Sequence, residues 1–191
     1  MKRFLNLSLF FFFVLSAWCL GARAAELSID TAKSKLTFTA DAFFNNVVGE
    51  FHTWQGAINL VEGKPLESSV IVKIDTTSID TQSSMRDGHL RSKSFFFVQQ
   101  FPEATFVSKK LTPVEGKPDT YEVDGVLTIR GVSKDVSFPA EIKKDGDHVT
   151  AKAALSINRR DYGINFRSAM NPIKPEVAVN FDIVAAAQAG Q

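Results

Sequence analysis

Residues 78–106, SIDTQSSMRDGHLRSKSFFFVQQFPEATF, decide how the rest of the chain is read. On either side of this stretch apolar and polar residues alternate; from Thr81 to Phe101 they do not. Arg86, Asp87, His89 and Arg91 fall within six positions, and Phe95, Phe96 and Phe97 follow at once. Phe101 and Phe106 bracket Pro102. Ser84–Ser92 reads as a short helix interrupting a strand pattern. Charges crowded against aromatic surface have two structural uses here. They plug the open end of a closed sheet, or they form the polar mouth of an apolar pocket.

Working outward, the period is two. Leu36, Phe38 and Ala40 alternate with Lys35, Thr37 and Thr39, and Val70, Val72 and Ile74 with Ile71, Lys73 and Asp75. Downstream the same holds for Val136–Ile142, Val149–Ile157 and Val177–Ile183. Such alternation means strands with one wet and one dry face. Turn chemistry separates them at Glu62–Pro65, Glu115–Pro118, Lys144–Asp147 and Arg130-Gly131-Val132. Gly49 and Gly56 suggest bulges or a sharp bend in the second strand. The count is about eight antiparallel strands, which stack as a sandwich or close into a barrel. Periodicity alone does not choose between them.

At the N-terminus, Lys2 and Arg3 precede an apolar run from Phe4 to Leu20, and Ala22-Arg23-Ala24 ends it. This is the three-part layout of a secretory signal peptide; the competing reading, a membrane anchor, is weakened by Asn6, Ser8 and Ser16. The expectation is a cleaved segment 1–24 and one mature domain, 25–191. Cleavage removes the sole cysteine, Cys19, and three cations (Lys2, Arg3, Arg23), taking formal charge from +1 to −2. A near-neutral chain offers no electrostatic case for nucleic acid or for a polybasic membrane anchor. The mature part is long enough to fold without disulfides.

Several pieces, in order, resemble the YceI-like family of lipid-binding periplasmic proteins. They are Ser78–Thr81, Arg86–Ser92, Phe95-Phe96 and Pro102–Phe106, then Gly49-Glu50-Phe51 with Trp54 and Gly56. Gly125–Lys134 and Asn158–Ile164 complete the set. The resemblance covers about Leu27 to Val184. It implies an all-β, eight-stranded antiparallel, lipocalin-like barrel with an elongated internal cavity, and a short helical excursion near residues 84–92. It also implies a long apolar ligand: a polyisoprenoid or isoprenoid quinone-like lipid, with fatty-acid or fatty-amide derivatives as competitors. Two positions depart from the family pattern. Asp41 stands where a His is frequent, and Phe97 where Asp is usual; both are expected at the cavity mouth.

Seventeen of 191 residues are Phe, twelve of them beyond the signal segment. Most fill a core, but rings also give a long apolar ligand large, rigid contact area. Phe38, Phe51, Trp54, Phe106 and Phe138 are the candidate pocket wall, joined by Phe95 and Phe96. Arg86, Asp87, His89 and Arg159 are the candidate polar mouth. Their structural alternative is an ion-pair and cap network in which Asp87 takes an arginine, Arg159 being a natural partner. Catalysis is not expected. His52, His89 and His148 lack zinc-ligand spacing, no Gly-x-Ser-x-Gly elbow occurs, and an Asp87–His89 pair at i, i+2 does not converge on a helix. No metal or cofactor is expected beyond the lipid itself. The partners this reading admits are the lipid, a membrane surface or membrane protein for exchange, and a second copy in a homodimer. A barrel packed with its own side chains, serving interaction or stress, and a lipid-modifying enzyme are the remaining classes.

Overall fold

The computed structural model describes residues 24–61, 63–167 and 172–187; the segment 1–24 expected to be a signal peptide lies outside them apart from Ala24, which opens the first strand. The alternating stretches form β1 (Ala24–Ile29), β2 (Lys35–Ala42), β3 (Asn46–Phe51), β4 (Trp54–Val61), β5 (Ser69–Asp75) and β6 (Ile79–Asp80). The α-helix α1 (Ser84–Arg91) follows, then β7 (Glu103–Pro113), β8 (Thr120–Ile129), β9 (Val132–Asp145), β10 (His148–Asn158), a 3-10 turn at Arg159–Tyr162 and β11 (Ile173–Ala187).

All pairings are antiparallel, in the order β1-β4-β5-β7-β8-β9-β10-β11, and β1 pairs back onto β11 through Leu27–Ile29 and Ala185–Ala187. The sheet therefore closes. β2 continues β1 along β11, β3 continues β4 along β2, and β6 continues β5 along β3. Eleven segments thus make eight staves, three of them broken in two, and the sandwich alternative falls. Closure leaves no unpaired edge along the wall except at β6, which pairs only with β3. An eight-stranded barrel encloses just enough room for side chains or one small ligand.

Each stave turns its apolar phase inward. In β8, Val123, Gly125, Leu127 and Ile129 are buried while their neighbours are not. β7 follows the same rule through Ala104, Phe106 and Ser108, then shifts by one so that Leu111 is buried. The shift is a register irregularity between Ser108 and Lys110 against β8, the mark of a bulge. Bulges or a sharp bend were expected at Gly49 and Gly56; no bulge forms, since the β2–β3 and β4–β5 registers run unbroken through both. The bend falls between them, at His52-Thr53, where β3 ends and β4 begins.

The β8–β9 turn is the tight connection that Arg130-Gly131 suggested. Both residues are left-handed, at φ 53° and 73°, which matches the twist of the strands it joins. Gly146-Asp147 likewise makes a two-residue loop between β9 and β10. The end of the barrel holding these last residues is filled by Leu27, Ile58, Leu111, Val149, Ile183 and Ala185. The other end carries α1.

Candidate functional site: an apolar cavity beneath the helical cap

β7 begins only at Glu103, paired with Asp75, so beyond β5 the wall has no β7 neighbour for β6. Residues 84–101 fill that gap. α1 is a helix of eight residues with little apolar periodicity, so it depends on tertiary fastening rather than on propensity. Asp87 supplies part of it. Its buried carboxylate accepts from Thr81 N at 2.9 Å and from the Thr81 hydroxyl at 2.5 Å. The same hydroxyl accepts from Arg86 Nε at 2.7 Å, and Arg86 Nη2 donates to Thr81 O at 2.6 Å.

Three further arginines at this end, Arg91, Arg130 and Arg159, also donate to backbone carbonyls. Arg91 bonds Thr77 O and Ile79 O at 2.8 and 2.6 Å. Arg130 ties the β8–β9 turn to Gly163 O and Lys93 O at 2.7 and 3.1 Å. Arg159, only 5% exposed, holds Ile164 O, Ile173 O and Lys174 O at 2.6, 3.0 and 3.1 Å. Burial, followed by the like charges of Arg160 and Arg167, lowers its pKa from the ordinary arginine value. The expected Asp87–Arg159 pair is not formed, and Asp87 takes no arginine. Its two acceptor bonds go to Thr81, while the guanidiniums of Arg91, Arg130 and Arg159 go to backbone carbonyls. Tyr162, three residues after Arg159, is buried, and burial with the Asp161 charge pushes its hydroxyl up to about 12.

Below this cap lies a cavity of about 500 Å³, inside the range of small-molecule sites. Phe38, Phe51, Phe95, Phe96 and Phe106 line it, with Arg86, His89 and Arg159 toward the cap. Those are eight of the residues singled out from the sequence. Trp54, Asp87 and Phe138 are not on the wall: Trp54 and Phe138 are packed core, and Asp87 sits within the cap. Phe138 lies behind the floor, 5.6 Å from the Phe106 ring and stacked at 13° on Phe181, 6.2 Å away. The cavity is therefore a half-barrel chamber rather than a tunnel through the whole barrel.

Two rings of the wall are seated on glycines. A Cβ on Gly49 would stand 2.4 Å from the Phe38 ring, and one on Gly125 would stand 2.5 Å from Phe106. The glycines thus mark close approach of an aromatic face. His89 is exposed yet lines the cavity, its ring edge-to-face with Phe95 at 4.9 Å and Phe166 at 4.7 Å. Asn45 is exposed and lines it too, so the chamber opens between the β2–β3 tip and α1.

Residues the sequence reading passed over include Phe166, Phe181, Leu155, Ile157 and Val179. The strand members were legible as a dry face, but not as facing empty volume; Phe166 lies in a loop with no period to expose it. Neither family departure reaches the wall. Asp41 pairs with Lys174 at 3.0 Å, and Phe97, left-handed at φ 51°, packs on Phe101. His52 is exposed, with Nε2 2.9 Å from Asp80 and Nδ1 3.6 Å from Glu50. Among the described residues no three His, Cys, Asp or Glu side chains group as metal ligands.

A closed antiparallel barrel holding an apolar chamber under a fastened cap defines the class of this protein. The YceI-like domain matches residues 27–185, and the chain belongs to that family. A UPF0312 protein of Photorhabdus laumondii is 34% identical over 134 residues, 67% of each chain. A protein YceI of Salmonella arizonae is 39% identical over 99 residues, 52% of this chain and 50% of that one. Among solved structures, BcnA of Burkholderia cenocepacia aligns with a TM-score of 0.77 at 27% identity, covering 83% of this chain and 99% of its own. A polyisoprenoid-binding domain from Saccharophagus degradans shares the fold, with a TM-score of 0.69 at 20% identity over 86% of this chain and 99% of that one.

Proposed function

We propose that the protein is an exported, periplasmic carrier that holds one apolar lipid tail in the chamber and does no chemistry on it. The observation that supports this most is the chamber itself: about 500 Å³ whose wall is almost wholly hydrocarbon and phenyl. A methylene displaces about the volume of a water molecule, roughly 30 Å³, so the chamber takes a tail of about fifteen carbons. Each buried CH₂ contributes about 0.8 kcal/mol, enough for firm retention after the costs of association. The likeness to the Saccharophagus polyisoprenoid-binding domain favours a prenyl tail over an acyl one. Arg159 and Arg86 supply donors at the cap end for a carbonyl or other polar head. Arg159 spends three of its five N–H groups on carbonyls, leaving two.

Filling the chamber tests this. Ala40 and Ala104 line it, and Ala40→Trp adds bulk inward without removing any wall contact. The variant should fold and lose binding of a fluorescent C15 prenyl probe, whereas wild type binds it; equal binding by both refutes the location. Phe106→Asp, which puts a carboxylate at the floor, should abolish retention as well.

A further inference from the structure

Phe43 and Phe44 form the tip of the β2–β3 hairpin and are 75% and 73% exposed. Their rings meet edge-to-face at 4.9 Å, so they project as one apolar unit. Ala42 and Asn45, on either side of the pair, line the chamber; the tip is the lip of its mouth. On α1, the other border of the mouth, Met85 is 87% exposed. Large side chains this exposed and this grouped mark a surface that meets something apolar.

The barrel also sorts its loop charges by end. The connections at the α1 end (43–45, 81–102, 130–131 and 159–167) carry Arg86, Arg91, Lys93 and Arg130, then Arg159, Arg160 and Arg167. Only Asp87 and Asp161 oppose them, an excess of five positive charges. The described connections at the opposite end (63–68, 114–119 and 146–147) carry Lys64 and Lys117 against Glu67, Glu115, Asp119 and Asp147. Arg86, Arg91, Arg130 and Arg159 direct their hydrogen bonds to carbonyls and the Thr81 hydroxyl rather than to carboxylates, although Asp80 feels the charge of Arg91. The net charge of the whole chain hides this excess, because acidic residues elsewhere in the chain offset it.

We propose that the α1 end is a docking surface for an anionic phospholipid bilayer. Phe43 and Phe44 enter the interface, where aromatic rings are favoured, and the basic loops lie over the headgroups. A tail then passes between bilayer and chamber without crossing water. That purpose rests on the lipid-carrier reading, but the docking itself does not, and the two are measured separately.

The test is co-sedimentation of the full mature protein with vesicles of phosphatidylglycerol and phosphatidylethanolamine, and with vesicles of phosphatidylcholine alone. Binding is expected on the anionic vesicles, to weaken with salt, and to fall roughly tenfold or more in Phe43→Ser/Phe44→Ser, as loss of two buried rings implies. Arg160→Gln/Arg167→Gln should weaken anionic binding and flatten the salt dependence. Because the tip residues are exposed, the variants should keep the wild-type Tm and C15 probe binding. Phe44→Trp reports entry directly, through a blue-shifted emission quenched by brominated acyl chains. Equal sedimentation of wild type and the serine variant, no preference for anionic vesicles, or a concentration-dependent dimer that the serine variant abolishes each overturns the proposal. Lost probe binding in Ala40→Trp with intact sedimentation would leave docking standing.

Discussion

Asp87 makes the cap depend on one carboxylate. Thr81 N and the Thr81 hydroxyl both donate to it, and Arg86 is chained on through that hydroxyl. Asp87→Asn keeps the shape but replaces an anionic acceptor with an amide, at a cost of about 1–3 kcal/mol for weakened buried bonds. The urea midpoint should fall accordingly, and an unchanged midpoint would show that the cap is held elsewhere. His52 gives a pH signature of its own. Its hydrogen bond to Asp80, then the Glu50 and Asp80 charges, raise its pKa above 6.5, while the His52 bond lowers that of Asp80 below 3.8. A raised folded-state pKa stabilises below the unfolded value and is lost as pH rises through the folded one. The depressed Asp80 value stabilises above 3.8 and is lost as pH falls. The β3–β6 latch is therefore strongest in weakly acidic solution. The Tm of wild type minus that of His52→Gln should be larger near pH 5.5 than near pH 8.5; the reverse trend contradicts the assignment.

At the scale of elements, the chamber exists because paired strands let rings lie against backbone. Phe38 on β2 faces Gly49 on β3 as its cross-strand partner, and that partner has no side chain to hold the ring away. Gly49→Ala puts a methyl where the ring now sits, so the ring swings into the chamber or the strands part. Overpacking of this kind costs about 1–3 kcal/mol. The predicted outcome is a lowered Tm together with weaker C15 probe binding, and undiminished binding would show that Phe38 yields in another direction. The glycines were visible in the sequence, yet bulge and close approach give the same residue type. Only the partner strand tells them apart, and partnership is set by topology.

For the whole molecule, the strand alternation carried most of the fold, because a half-buried strand writes its two faces directly into the sequence. The helical excursion was legible for the opposite reason, as the place where that pattern fails. What alternation does not encode is whether an inward face meets other side chains or empty space. Phe106 and Phe138 have the same inward phase on their strands, but one lines the chamber and the other lies behind its floor. Nor does it encode hydrogen-bond partners, so an Asp87–Arg159 pair looked natural where the folded chain uses Thr81 and carbonyls. Charge polarity between the ends was hidden similarly, since it appears only once each loop is assigned to an end. A loaded chamber should also raise stability by mass action, about 2.7 kcal/mol at a hundredfold excess of ligand over Kd. Native mass spectrometry of the natively expressed protein, followed by organic extraction, tests the central claim most directly. The account predicts a stoichiometric adduct that extracts as a prenyl lipid with a tail of about fifteen carbons in the chamber; an adduct-free protein that also takes up no added prenyl or acyl lipid contradicts it.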